Sequence, residues 1–74
     1  MWVSVKLFAT LQINRFQDKT FEVPDGTSVR EIVSMIGIDE KDASIIFING
    51  RHQSPETILQ DGDILSIFPS IGGG

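Results

Sequence analysis

The sequence predicts an α+β fold in which one mixed sheet of four to five strands curls over a single main helix. Three observations predict it. Apolar side chains alternate with polar ones near both ends of the chain, a capping box opens one amphipathic stretch of helical period, and an Asn-Gly pair directly follows a β-branched run. At 74 residues there is room for one hydrophobic core and therefore for one domain. That core has to hold without staples, because there is no cysteine and the single histidine, His52, leaves no Cys/His cluster for zinc or an iron–sulfur group. With 41% hydrophobic and 22% charged residues, the composition is that of a globular domain and not of a disordered chain.

From Val3 to Phe8 apolar residues fall at Val3, Val5 and Leu7, the period of a strand with one buried face, and Trp2, Ser4, Lys6 and Phe8 take the other face. Thr20 to Val23 repeats the pattern through Phe21 and Val23, and Pro24-Asp25-Gly26 then turns the chain. Ser28 and Glu31 form the capping box, so a helix is expected to begin at Val29. Its apolar residues Val29, Ile32, Val33 and Ile36 make one stripe, and Gly37 stands where a left-handed cap is wanted. After a polar loop, Asp39 to Ser44, the run Ile45 to Ile48 reads as a strand that Asn49-Gly50 reverses into a short edge strand, Arg51 to Gln53. Pro55 to Gln60 reads as a connecting loop with room for one helical turn, and Asp61-Gly62-Asp63 introduces the last strand, Ile64 to Phe68, which Pro69 ends.

A hairpin, one helix and further strands close compactly when the first and last strands lie parallel at the sheet centre. That arrangement is the ubiquitin-like β-grasp. A ferredoxin-like sandwich would need a second helix, for which Pro55 to Gln60 is too short. The domain is expected over residues 1–68 and a flexible tail over 69–74, since Gly72-Gly73-Gly74 has maximal backbone freedom and no side chain to bury.

Several function classes are disfavoured. Apolar runs of about four residues fall far short of the roughly 20 that cross a bilayer. The N-terminal residues alternate instead of placing a basic region before an apolar block, which makes a cytoplasmic address the expectation. A net charge of −4 and a pI near 4.6 argue against nucleic acid, whose phosphates are neutralised by lysine and arginine. His52 beside a hairpin turn reads as a surface histidine, and the acids at Asp39, Glu40, Asp42, Asp61 and Asp63 read as solvated turn residues. Pro24-Asp25-Gly26-Thr27-Ser28 lacks the glycines and lysine of a phosphate loop, so neither a bound cofactor nor a metal is expected.

The end of the chain points elsewhere. Pro69 to Gly74 leaves directly from the expected sheet centre, and six extended residues reach about 20 Å, far enough to enter a neighbour's active site. Glycine suits that task, because a backbone without Cβ atoms threads a narrow channel and leaves its terminal carboxylate open to attack. The run Asp61-Gly62-Asp63-Ile64-Leu65, the run Ile67-Phe68-Pro69-Ser70-Ile71-Gly72-Gly73-Gly74 and the opening Val5-Lys6-Leu7-Phe8-Ala9-Thr10-Leu11 together resemble the MoaD/ThiS family of sulfur carriers. Within that family the resemblance is closest to the small subunit of molybdopterin synthase.

The resemblance implies that the Gly74 carboxylate is adenylated with ATP by an E1-like enzyme of the MoeB/ThiF type. It is then converted to a thiocarboxylate with sulfur from a donor such as a cysteine desulfurase or rhodanese, and inserted into a large molybdopterin synthase subunit of the MoaE type. Gly72 and Gly73 would give the tail its access, and the carrier itself would supply no general acid or base. One residue departs from the pattern: molybdopterin carriers commonly have serine, threonine or alanine before the final Gly-Gly, whereas Gly72 is similar to several thiamine-pathway carriers. Other sulfur acceptors, and a modifier joined to lysines through Gly74, use the same tail. Strand parity adds a docking face. With Leu65, Ile67, Ile46 and Ile48 inward, Phe8, Phe47 and Phe68 share the opposite side of the sheet as an expected partner-binding surface, joined by Pro69 and Ile71.

Overall fold

The computed structural model describes residues 1–70. Among them the elements follow in the order β1 (Trp2–Leu7), a 3-10 turn (Ala9–Gln12), β2 (Asp18–Glu22), α1 (Val29–Ile36), a second 3-10 turn (Glu40–Asp42), β3 (Ile45–Ile48), β4 (Arg51–His52) and β5 (Ile64–Phe68). The strands form one sheet in the order β2-β1-β5-β3-β4, in which β1 and β5 are parallel and every other pair is antiparallel. This is the β-grasp expected from the sequence.

The central ladder pairs Val5 with Leu65 and Leu7 with Ile67, and β3 adds Ile46 beside Ile67 and Ile48 beside Leu65. Alternation turns all six toward α1, where each is buried. Val29, Ile32 and Val33 of the helix meet them in one core, with Leu11, Ile38 and Leu59 at its margins. Burying Leu or Ile side chains of this size stabilises by about 1.5–3 kcal/mol each, which is the main source of cohesion in a chain without cross-links.

The helix start is satisfied from two directions. The Ser28 hydroxyl accepts from the Glu31 N–H while the Glu31 carboxylate accepts from the Ser28 N–H, which completes the capping box. The Val29 and Arg30 N–H groups donate to the carbonyls of Thr57 and Pro55, at 3.0 and 2.9 Å. Donors that a helix N-terminus leaves free are thereby spent on the segment expected to be a loop. That segment contains no helical turn. It opens on a single tight turn at Pro55-Glu56, closed by the Thr57 N–H donating to the Ser54 carbonyl at 3.1 Å, and is then held against the helix start by these bonds, by the Ser28–Ile58 bridge and by the Leu59 N–H, which donates to the Thr27 carbonyl.

Several strand boundaries also differ from expectation by one or two residues, and β4 ends at His52, one residue before Gln53. β2 begins at Asp18, two residues before Thr20, because Asp18 and Lys19 pair with Lys6 and Val5 although both are exposed. Hydrophobic alternation cannot register a strand residue with no apolar side chain. β1 runs from Trp2 to Leu7, and Phe8 ends the extended run because Ala9 takes φ +53° to start the 3-10 turn.

The Asn49-Gly50 turn has φ of +52° and +82°, the left-handed pair that a tight hairpin requires. Asn49 has a second task. Its side-chain NH2 donates to Asp63 Oδ1 at 2.9 Å, its Oδ1 accepts from the Ile64 N–H at 2.9 Å, and Asp63 Oδ2 accepts from the Gln60 N–H at 2.8 Å. The hairpin turn is thus clasped to the beginning of β5. Replacing Asp63 by alanine strips two charge-assisted bonds from this clasp and is expected to cost about 1–2 kcal/mol, read as a lower urea midpoint. On the surface, Arg30 bridges Glu40 at 2.7 Å and Glu56 at 2.8 Å. The Arg30 hydrogen bond holds the Glu56 carboxyl below the ordinary glutamate range. The benefit of that exposed pair is therefore present above the ordinary range and disappears as pH falls through the lowered value. A carbon-detected NMR titration is expected to show Glu56 returning toward the ordinary range in Arg30→Ala.

Candidate functional site

With α1 on one face, the other face of the sheet has no helix over it among the described residues. Along β1 the outward residues are Trp2, Ser4, Lys6 and Phe8, along β5 they are Ile64, Ser66 and Phe68, and along β3 they are Ile45 and Phe47; none of these is buried. The register joins them into rows. Ile45 lies beside Phe68, Lys6 beside Ser66, Ser66 beside Phe47 and Phe47 beside His52.

Phe8, Phe47 and Phe68 come together at the end of this face from which β5 departs. The Phe8 and Phe68 rings stack with centroids 4.2 Å apart and planes 13° apart, and Phe47 meets Phe68 edge-on at 5.8 Å. His52 extends the row by an edge contact with Phe47 at 5.7 Å. All three phenylalanines are half-buried, because much of each ring is covered by another of the set. Such geometry serves cohesion, since stacked and edge-on rings attract one another, and it leaves part of the apolar surface open.

β5 then delivers Pro69, half-buried, and Ser70 to a cleft shared with Thr10, Arg15, Ile38 and Asp42. Arg15 is fixed there. Its guanidinium donates to the Leu11 carbonyl at 3.2 Å and to the Gly37 carbonyl at 3.1 Å, tying the first 3-10 turn to the C-terminus of α1. His52 is exposed, as its reading as a surface histidine expects, but its place beside Phe47, like the places of Ile45 and Arg15, was not anticipated from the sequence. For Ile45 and His52 the signal exists once β3, β4 and β5 are placed in register; Arg15 sits in a segment without periodicity and offers none. Ile71, Gly72, Gly73 and Gly74 lie outside the described residues. No cluster of three or more histidine, cysteine or carboxylate side chains comes together among the described residues, and none of their helices is long and apolar enough to cross a membrane.

The family model described as the ThiS family matches residues 5–74, nearly the whole chain and the glycine run with it. The chain belongs to the ThiS family. That family comprises the ubiquitin-like sulfur carriers of ThiS and MoaD type. Among solved structures, this ThiS-family chain is similar to the putative molybdopterin converting factor subunit 1 of Pyrococcus furiosus, with 31% identity, TM-score 0.74, and 96% of this chain and 99% of that one covered. SAMP1 of Haloferax volcanii shares the fold at 20% identity and TM-score 0.76, with both chains covered completely. So does a chain in the complex of subunits 1 and 2 of the Helicobacter pylori molybdopterin-converting factor, at 22% identity, TM-score 0.65 and complete coverage of both.

The stacked pair gives a test of the aromatic cluster by itself. Phe68→Ala is expected to destabilise by about 1–2 kcal/mol, and a double-mutant cycle with Phe8→Ala to show coupling of about 0.5–1.5 kcal/mol, both from chemical unfolding. Additive losses would mean that the two rings do not interact in solution.

Proposed function

We propose that this protein carries sulfur as a thiocarboxylate on Gly74 and delivers it for the dithiolene of molybdopterin. The observation that carries this reading is the family match extending through Gly74, and the 31% identical Pyrococcus chain named molybdopterin converting factor subunit 1 supports the pathway. The chemistry has three steps. The Gly74 carboxylate attacks the α-phosphorus of ATP on an adenylating enzyme of the MoeB/ThiF type, and pyrophosphate leaves. The terminal sulfur of a persulfide on a cysteine desulfurase or rhodanese then adds to the acyl-adenylate carbon, and AMP leaves as that C–O bond breaks, which gives an acyl disulfide. A second thiol attacks the donor's sulfur, the S–S bond breaks, and a new disulfide forms as the Gly74 thiocarboxylate departs.

This chain's own contribution is positional. Phe8, Phe47 and Phe68 supply the docking face, and Pro69 starts the chain outward beside it toward Ile71 and the slim Gly72-Gly73-Gly74 segment. A large synthase subunit of the MoaE type is the proposed acceptor, in keeping with the Helicobacter structure, in which subunits 1 and 2 form a complex. A second reading rests on Gly72: a glycine at that position is similar to thiamine-pathway carriers, for which a thiazole synthase would be the acceptor.

Incubation with the adenylating enzyme, magnesium ATP and a sulfur donor is expected to raise the intact mass by the exchange of one oxygen for one sulfur. Deleting Gly73 and Gly74 is expected to abolish that gain and to leave the unfolding midpoint in place, since the core closes between Val3 and Ile67. An unmodified mass with active enzymes present would sink the carrier reading. For the pathway, the large pterin-synthase subunit is expected to co-elute with the protein and a thiazole synthase is not; the reverse result would transfer the assignment. Phe68→Ala is expected to weaken that co-elution by at least about tenfold, the scale of a residue at an interface centre.

A further inference from the structure

The open face of the sheet has a second apolar island at its other end, and nothing in the proposed carrier chemistry uses it. Trp2, 52% exposed, and Ile64, 42% exposed, are the outward residues at the start of β1 and of β5. A polar band of Ser4, Lys6, Thr20 and Ser66 separates them from the phenylalanine cluster, with the Ser4 and Thr20 hydroxyls 3.5 Å apart. Trp2 lies six positions before Phe8, which directly follows β1, about 20 Å away at strand rise. A round partner footprint of about 800 Å² centred on Phe68 has a radius of about 16 Å, which reaches Ile64, four positions away on β5, and stops short of Trp2.

The charges around Trp2 define what would cover it. Glu22 is its direct cross-strand neighbour and shares its face. On the opposite side the Asp61-Gly62 turn holds the Trp2 backbone, as Asp61 Oδ1 accepts from the Trp2 N–H at 2.7 Å and the Gly62 N–H donates to the Trp2 carbonyl at 2.7 Å. Neither Glu22 nor Asp61 enters an ion pair among the described residues. The Met1 ammonium, next to Trp2 in the chain, is taken up by the Val23 carbonyl at 2.8 Å and by Asp25 at 3.6 Å. An exposed indole with the Glu22 carboxylate as its cross-strand neighbour, the Asp61 carboxylate on its own backbone N–H and an aliphatic side chain nearby matches one chemistry well: a guanidinium stacks on the ring and bonds the Glu22 carboxylate while an aliphatic neighbour covers Ile64.

We propose that the Trp2–Ile64 end of the open sheet face is a second protein-docking surface, one that takes a partner segment presenting arginine next to an aliphatic residue. Trp2 lies beyond that footprint, so a short segment centred on the indole leaves the Phe8 and Phe68 rings uncovered while it is bound. This surface is independent of the sulfur-carrier reading, and its test uses no activating enzyme.

The probe is acetyl-Leu-Arg-Leu-Arg-amide, with acetyl-Leu-Glu-Leu-Glu-amide as control. Trp2 is the sole tryptophan, so its emission reports this surface directly. Saturable quenching by the arginine peptide alone is expected, with amide shifts confined to Trp2, Glu22, Asp61, Ile64 and their neighbours. Glu22→Lys is expected to weaken binding at least about fivefold and Glu22→Gln to weaken it less, whereas Phe68→Ala should bind as the parent does. Both Glu22 variants change an exposed residue, and an unchanged melting curve establishes that each is folded. Absence of saturation, equal binding of the glutamate peptide, unchanged affinity in folded Glu22→Lys, or shifts centred on Phe8 and Phe68 would each overturn the proposal.

Discussion

The parallel pairing of β1 with β5 is the constraint on which the rest of this structure depends. It joins residues about sixty positions apart along the chain, and no short turn can close such a pair, so everything between them becomes a crossover that has to pack back on the sheet. The pairing sets Val5 beside Leu65 and Leu7 beside Ile67 at the bottom of the core, where the helix finds its apolar bed. The same register puts Phe8 against Phe68 on the other side. A slip of one residue would exchange the two faces and put the phenylalanines under the helix. One ladder therefore fixes both the stability of the domain and the composition of its open surface.

The long crossover is held by polar groups at its joints more than by regular structure along it. The segment from Pro55 to Leu59 is irregular, yet it accepts from the first two helical N–H groups and donates back to Thr27. Asn49 and Asp63 then join the hairpin turn to the start of β5, close to the point where the Asp61-Gly62 turn grips the Trp2 backbone. Each of these bonds is worth about 1 kcal/mol net, so no single one decides the fold. Their combined effect is to remove slack from connections that a chain without disulfides could otherwise leave loose.

How far the fold was legible in the sequence follows from what kind of signal each element carries. β1, β3, β5 and α1 advertise themselves through period and through caps, because their buried residues are apolar and their ends need particular side chains, as at Ser28, Glu31, Gly37 and Asn49. The start of β2 was hidden because Asp18 and Lys19 are paired through backbone alone and show solvent no apolar face. The first 3-10 turn was hidden because its left-handed residue is Ala9, which carries no turn signal, and because its support comes from Gln12 and Arg15 bonding to backbone carbonyls. The phenylalanine cluster was readable from strand parity. Its internal stacking, and the share of each ring thereby covered, needed the register between strands.

Placement of the two ends of β5 explains how so small a domain can separate tasks. Side chains facing α1 from β5 are fully buried, so substitutions at Leu65 or Ile67 report on stability before anything else. Side chains on the other face are shared between mutual packing and whatever binds, and at Phe68 the two are inseparable: the ring that stacks on Phe8 is the ring nearest the chain's departure. In the proposed carrier, glycine beyond that point would encode access and little recognition, so discrimination between acceptors would have to arise on folded surface. The surface available for it is not uniform. Aromatic rings gather where β5 ends, while exposed carboxylates flank the indole where it begins, with polar side chains between them. A partner that reads the first end follows the departing chain, and a partner that reads the second is kept clear of it by the length of one strand.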